Sequence, residues 1–228
     1  RLRRVFVKAY ASNGSIQQIP TVTTGDANYE LMAPNGETEQ IQFFYNSSVF
    51  MSSQTAPTQL LSYHEIMFLR AEAMARLNNT AATITPYLRD AFLAAIANTE
   101  LSIDAAENSA LLGGALNQTT APITQSEAGT YFDTTIIPLL VANPLQEIMM
   151  QKYLAFFGAS GETRESYNDI RRLKALGEDF IPLANEKPFP LRLPYGNDDT
   201  TTNPNVQTAY GDGQYVYTEP VWWAGGTR

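Results

Sequence analysis

The sequence predicts a mainly α-helical protein with irregular segments and a few short strands at its ends. Apolar residues recur at helical spacing between residues 62 and 176, and helix-starting residues precede several of these stretches. Residues 1–60 and 178–228 are rich in residues that favour turns over long helices. With 228 residues, of which 44% are hydrophobic, the chain can bury a sizeable core, and we predict a single domain.

The N-terminal residues 1–60 are predicted to be irregular, with one or two short hairpins. Extended stretches at residues 5–10 and 41–45 alternate with turn signals such as Asn13-Gly14 and Pro34-Asn35-Gly36. These residues form the first of three segments that we expect along the chain.

A helix is predicted over residues 62–77. Ser62 and Glu65 have the spacing of a capping box, in which the Ser hydroxyl accepts an early helical N–H and the Glu reaches back to the cap N–H. Asn78-Asn79 is expected to end the helix. The residues at helical spacing that we expect to face the core are Ile66, Leu69, Ala73 and Leu77.

A second helix is predicted from Thr85-Pro86 to Asn98, because a cap residue followed by proline is a common helix start. Its apolar stripe consists of Leu88, Phe92 and Ile96. The two helices would form one tetratricopeptide-like hairpin, although the chain has no second copy of it.

Four more helices complete the predicted helical body, which spans residues 61–177. The Asn143-Pro144 pair should start the clearest of them, and Pro138, Gly158 and Gly177 should end three. The predicted ranges are residues 104–117, 126–135, 145–157 and 162–176. Residues 178–228 are expected to be loops and turns packed over the helices, because prolines recur along them.

Composition excludes several classes of function. The net charge of −8 argues against nucleic-acid binding, which needs clustered Lys and Arg. The chain has no Cys and one histidine, His64, which excludes thiol chemistry and multi-histidine metal sites. We expect His64 to lie at the surface, without a function. The longest apolar run, residues 136–142, is too short to cross a bilayer.

Three stretches resemble the SusD/RagB family. Residues 65–73 are similar to its Ala-Glu-Ala helix. Residues 148–158 and 167–172 are similar to its paired Gln-Lys-Trp and Trp-Asn-x-x-Arg-Arg motifs. Tyr153 and Tyr167 stand at positions where Trp is common in the family. The third stretch comprises residues 190–195, Asn203-Pro204-Asn205 and the terminal Val221-Trp222-Trp223.

The resemblance implies a non-enzymatic nutrient-binding protein without a cofactor, lipid-anchored on the outer face of an outer membrane. Its partners would be an oligosaccharide or other nutrient and a SusC-like TonB-dependent transporter. Arg1-Leu2 looks like the middle of a family segment that follows a long N-terminal half. The chain is therefore expected to be the C-terminal part of a larger protein, with the signal peptide and anchor upstream. A glycoside hydrolase with two carboxylates and a helical protein-binding scaffold remain as alternatives.

Aromatic residues are the candidates for ligand binding, because aromatic rings stack on the apolar faces of sugars. The candidates are Tyr45, Tyr195, Trp222 and Trp223. For the Trp pair we favour the alternative in which the rings anchor the tail to the core. Oxygen-rich turns at residues 197–199 and Asp212 match no Ca²⁺ loop and are interpreted as solvated.

Glu72 is the centre of a structural hypothesis. The resemblance suggests that Glu72 reaches Lys152, Arg171 or Arg172 and so holds the helices together. The simpler alternative is an ion pair with Arg76, one turn later on the same helix.

Overall fold

The computed structural model describes residues 9–12, 15–18, 55–108, 121–157, 162–183 and 188–226, and it confirms the mainly α-helical fold class. The strands are β1 (Ala9–Ser12) and β2 (Ser15–Gln18). The helices before residue 160 are α1 (Tyr63–Arg76), α2 (Ala81–Glu107), α3 (Gln125–Tyr131), a π-helical turn (Phe132–Ile136), α4 (Ile137–Ala142) and α5 (Pro144–Ala155). The later ones are α6 (Thr163–Ala175), α7 (Asn197–Thr202), α8 (Pro204–Tyr210) and a 3₁₀ turn (Trp222–Ala224). None of the helices within these ranges has the length and apolar character of a membrane span.

Contacts between Cα atoms divide the chain into two compact units. The first comprises Arg1–Ile170 and Asp179–Pro182, and the second Arg171–Glu178 and Leu183–Arg228. Within the first, β1 and β2 pair antiparallel with Ser12 opposite Ser15, which confirms one predicted short hairpin. The predicted turn residues 13 and 14 lie outside the described residues. The extended stretch at residues 41–45 lies outside the described residues.

Both ends of α1 were predicted from local signals. The Ser62 hydroxyl accepts the N–H of Glu65 at 3.1 Å, as a capping box requires. The reciprocal bond is different from the prediction, because the N–H of Ser62 donates to Glu162 rather than to Glu65. At the other end, Asn78 adopts a φ of 57°, and the N–H of Asn79 donates to the Met74 carbonyl, which completes a Schellman motif.

The predicted buried face of α1 is wrong. Leu69 and Leu77 are 41% and 73% exposed, whereas Met67, Phe68 and Ala71 are buried. His64, Glu65 and Glu72 lie on the buried face as well. Hydrophobic spacing selected the opposite face because the true one carries three ionisable side chains.

The second helix is longer than predicted. Helix α2 begins at Ala81 with Thr80 as its cap, so Pro86 lies inside it rather than at its start. Proline has no N–H to donate to the carbonyl one turn earlier, but the chain continues through this single gap. The helix runs on to Glu107 and absorbs the start of the helix predicted at residues 104–117, and residues 109–120 lie outside the described ranges.

Helices α1 and α2 form the predicted hairpin, since a four-residue connection, residues 77–80, joins two extensively packed helices. Helix α5 packs against both. Phe68, Leu88 and Ile148 are completely buried where the three helices meet, and Ile96 of the predicted α2 stripe is also buried.

The helix predicted to stop at Pro138 continues past it. Thr124 and Glu127 form a capping box at the start of α3, which leads through the π-helical turn into α4. Pro138 lies in the first turn of α4. The pattern of backbone hydrogen bonds already changes at the π-helical turn. The missing N–H of Pro138 therefore costs few additional helical hydrogen bonds.

The starts and ends of α5 and α6 agree closely with the sequence patterns. The Asn143 side chain accepts the N–H of Gln146 at the start of α5, which ends at Ala155 before the predicted Gly158. At the end of α6, Gly177 has a φ of 74° and the N–H of Glu178 donates to the Leu173 carbonyl at 2.9 Å. A left-handed residue of this kind favours glycine.

The tail contains helices that the sequence did not predict. Helices α7 and α8 are one to two turns long, and the predicted tail of loops and turns is wrong at these places. The caps explain why such short helices form in this composition: the Asn203 side chain accepts the N–H of Asn205, and Pro204 occupies the first helical position. The Thr201 and Thr202 hydroxyls bond back to helix carbonyls.

Candidate functional site

An aromatic cluster lies in the second unit, around Tyr195. The ring of Tyr210, at the end of α8, stacks on the Tyr195 ring with 4.6 Å between centroids and an angle of 25° between the planes. The guanidinium carbon of Arg192 lies 4.7 Å from the centroid of the same Tyr195 ring. Two tyrosines and one arginine thus form a compact stacked group, which we call the tyrosine cluster.

Glycine backbone holds the tyrosine cluster in place. The N–H of Tyr195 donates to the Gly213 carbonyl at 3.3 Å. Gly213 has a φ of 72°, and a Cβ atom at this position would lie 2.8 Å from the Cβ of Tyr195 and 2.9 Å from Cγ2 of Thr200. The close backbone approach and the left-handed conformation both require glycine.

Trp222 is the most exposed aromatic side chain among the described residues, with 75% of its surface accessible. It stands on the 3₁₀ turn, which Val221 and Gly225 flank. The interpretation of Trp222 as an anchor buried in the core is therefore wrong. Tyr217, nearby in sequence, is 50% exposed. The side chain of Trp223 and the whole of Tyr45 lie outside what the structure describes.

A group of ionisable side chains is buried in the first unit, and we call it the carboxyl cluster. Its centre is Glu162, whose Oε1 accepts the N–H of Ser62 at 2.6 Å and whose Oε2 lies 3.3 Å from Nε2 of His64. His64 is 2% exposed, so the prediction that it lies at the surface is wrong. The burial of His64 could not be predicted from its neighbours in sequence, because it depends on the long-range contact with Glu162.

Glu65 completes the carboxyl cluster. Burial raises the pKa of its carboxyl group to about 7, and a hydrogen bond with Glu162 and repulsion from the Glu162 charge act in the same direction. Lys152 opposes this effect through its positive charge, and Glu165 adds a further repulsion. The carboxyl group of Glu65 therefore keeps its proton to a higher pH than an exposed glutamate does.

Lys152 and Asp169 form a buried ion pair beside this cluster, with 2.8 Å between Nζ and Oδ2. The pair joins α5 to α6, and Nζ of Lys152 also lies 5.4 Å from the Phe156 ring centroid. Lys152 therefore links α5 to α6 through Asp169, which is the kind of contact expected of a residue that holds helices together.

Glu72 forms the ion pair with Arg76 that the simpler alternative predicted, with 2.7 Å between Oε1 and Nε. The Glu72 side chain is 6% exposed and that of Arg76 is 31% exposed, so the pair is partly buried. The contact of Glu72 with Lys152, Arg171 or Arg172 stays a prediction.

The carboxyl cluster does not have the accessibility of an active site. A glycoside hydrolase needs both carboxyl groups in contact with the substrate. Glu65 and Glu162 are only 8% and 1% exposed, so their carboxyl groups are not accessible to a substrate in this structure. The tyrosine cluster and Trp222 are thus the better candidates for ligand contact. Within the described ranges, no group of three or more acidic or histidine side chains is arranged to hold a metal ion.

Comparisons with known proteins give the same family from sequence and from structure. Residues 15–196 match the model of a SusD-like family described as starch-binding and associating with the outer membrane. The crystal structure of a SusD/RagB family protein from Bacteroides thetaiotaomicron matches with a TM-score of 0.79 and 45% sequence identity. That match covers 99% of this chain and 47% of the other, so the chain spans about half the length of that relative. No curated protein matches the chain.

Proposed function

The chain belongs to the SusD/RagB family, and from this membership we propose that it binds glycans or other nutrients at the cell surface and delivers them to a TonB-dependent transporter. The family match carries the proposal, because SusD/RagB proteins are binding proteins rather than enzymes and the matched family associates with the outer membrane. The burial of the Glu65–Glu162 pair argues against these two carboxyl groups as a hydrolytic pair.

We place ligand contact on the aromatic side chains of the tail. An exposed indole offers a flat apolar surface with a polar edge, which is the surface that a sugar ring needs. Trp222 meets this requirement with its 75% exposure. Tyr195 is the second proposed contact, and Tyr45 and Trp223 remain candidates from the sequence.

The transporter and the anchor belong to the whole protein. We propose that these residues form the C-terminal part of a larger SusD-like protein with an upstream lipid anchor on the extracellular face. The share of the related structure that the chain spans, 47%, supports a longer protein but has no bearing on the anchor. The proposed protein partner is a SusC-like transporter.

A panel of oligosaccharides tests the proposal, with affinities measured by isothermal titration calorimetry on the full protein. We expect saturable binding without any product of hydrolysis. Trp222→Ala should weaken binding about tenfold or more, because loss of one ring that stacks on a sugar removes on the order of 1–2 kcal/mol. Tyr63→Ala is the matched control, since Tyr63 is 57% exposed on α1, away from the tail in sequence.

Two results would contradict the proposal. Absence of binding across the panel would argue for the alternative of a protein-binding scaffold. Hydrolysis that a single Asp or Glu substitution abolishes would argue for an enzyme. Co-purification of the transporter, with and without sugar, then tests the delivery step.

A further inference from the structure

Arg192 stands apart from the other arginines in the described part of the second unit. It is only 8% exposed, although arginine rarely lies inside a protein without an anionic partner. Among the residues that the structure describes, no group accepts a hydrogen bond from its Nε or Nη1, and both atoms are buried. A buried guanidinium whose N–H groups donate to no acceptor is unfavourable, unless a bound ligand supplies the acceptor.

The surroundings of Arg192 are those of a ligand subsite rather than of a structural ion pair. Its guanidinium lies over the Tyr195 ring, whose other stacking contact is Tyr210. A guanidinium that lies over a ring does not use its N–H groups for that contact, so they can donate to a separate acceptor. A planar donor group beside aromatic rings is suited to a sugar that carries an oxyanion.

We propose that the tyrosine cluster binds an acidic saccharide, whose carboxylate or sulfate accepts hydrogen bonds from Arg192. This inference rests on the proposed function and specifies its substrate class. Because Nε and Nη1 of Arg192 are buried, we expect side chains of the cluster to move when the oxyanion binds. The ligand oxyanion then supplies the acceptors that the described protein groups do not.

The test compares acidic ligands with counterparts whose charged group is esterified or removed, by calorimetry on the full protein. One pair is a short oligogalacturonide and its methyl ester, and the other is a carrageenan oligosaccharide and its desulfated form. A neutral maltooligosaccharide serves as the uncharged reference. We expect one acidic ligand to bind roughly tenfold to a hundredfold more tightly than its neutral counterpart, the range of one charged hydrogen-bonding group. The pair that shows the difference identifies carboxylate or sulfate as the oxyanion.

Arg192→Gln should remove this preference, so that the acid and its neutral counterpart bind with similar affinity. Arg192→Lys should keep part of it, because the charge remains while the planar donor set is lost. Arg70→Gln is the matched control: Arg70 lies 4.6 Å from the Tyr87 ring centroid, the same kind of contact, but it is exposed. This control should bind like the wild type.

Equal binding of the charged and neutral ligands by the wild-type protein would overturn the inference, and this comparison does not depend on any variant folding. A preference that survives in Arg192→Gln would also overturn it. Binding of neutral saccharides without charge preference leaves the proposed function intact and rejects only the acidic class. Absence of all saccharide binding rejects this inference and the glycan-binding part of the proposed function.

Discussion

Replacement of Glu65 by Gln should change how stability depends on pH. The pKa of Glu65 is raised from 4.5 to about 7 in the folded protein by burial and by Glu162. Between these two values the folded state holds a proton that the unfolded state releases, so the free energy of unfolding falls as the pH rises. The full difference corresponds to at most about 3 kcal/mol.

Gln cannot titrate, but its amide can donate to Glu162 as the protonated Glu65 does. The variant should therefore keep its stability where the wild-type protein loses it. We expect Glu65→Gln and wild type to be similar at about pH 4.5 and the variant to be more stable, by about 2–3 kcal/mol, at about pH 8. Urea denaturation followed by circular dichroism at several pH values between these limits measures the difference.

Glu127→Gln is the control with the opposite sign. Glu127 is exposed, and its hydrogen bonds with Thr124 lower the pKa of its carboxyl group. Its contribution is present above the unfolded pKa and is lost as the pH falls, so this variant should lose stability at neutral pH and approach wild type in acid. A difference in stability between Glu65→Gln and wild type that stays constant from acid to alkaline pH would refute the raised pKa of Glu65.

Two further substitutions test positions that the fold depends on. Gly213→Ala should weaken saccharide binding while the protein stays folded, because a Cβ atom would displace Tyr195. Calorimetry measures the affinity and a thermal melt checks the fold. Unchanged affinity would contradict the prediction. Glu72→Ala should destabilise the protein by about 3 kcal/mol more than Arg76→Ala if Glu72 also pins a second helix, because a buried cation would then lose its partner. If urea denaturation shows that Glu72→Ala and Arg76→Ala destabilise the protein equally, Glu72 pairs with Arg76 alone and pins no second helix.

Local patterns predicted the helix ends well, and the reason is that caps depend on residues close in sequence. Ser62, Asn143 and Gly177 cap or end helices where the sequence indicated. Prolines were less reliable, because Pro86 and Pro138 lie inside helical segments whose packing outweighs one missing hydrogen bond. Predictions failed where tertiary contacts decide the outcome.

The candidate sites show the same limit. The order of short motifs was enough to find the family, and the aromatic residues of the tail were identified as candidates. The exposure of Trp222 and the burial of His64 were both predicted wrongly, since exposure depends on which distant segment covers a side chain. Arg192 was not predicted because an unsatisfied donor is visible only once its neighbours in space are known.

The bond between Ser62 and Glu162 has a consequence for synthesis of the chain. It joins residues 100 positions apart and satisfies the N–H of Ser62, the cap residue of α1. A ribosome adds residues in order, so α1 is synthesised long before Glu162, whose side chain accepts the hydrogen bond at the start of the helix. Nascent α1 should therefore fray at its first turn until residue 162 has left the exit tunnel, and maturation of this part of the protein should be a late event in translation.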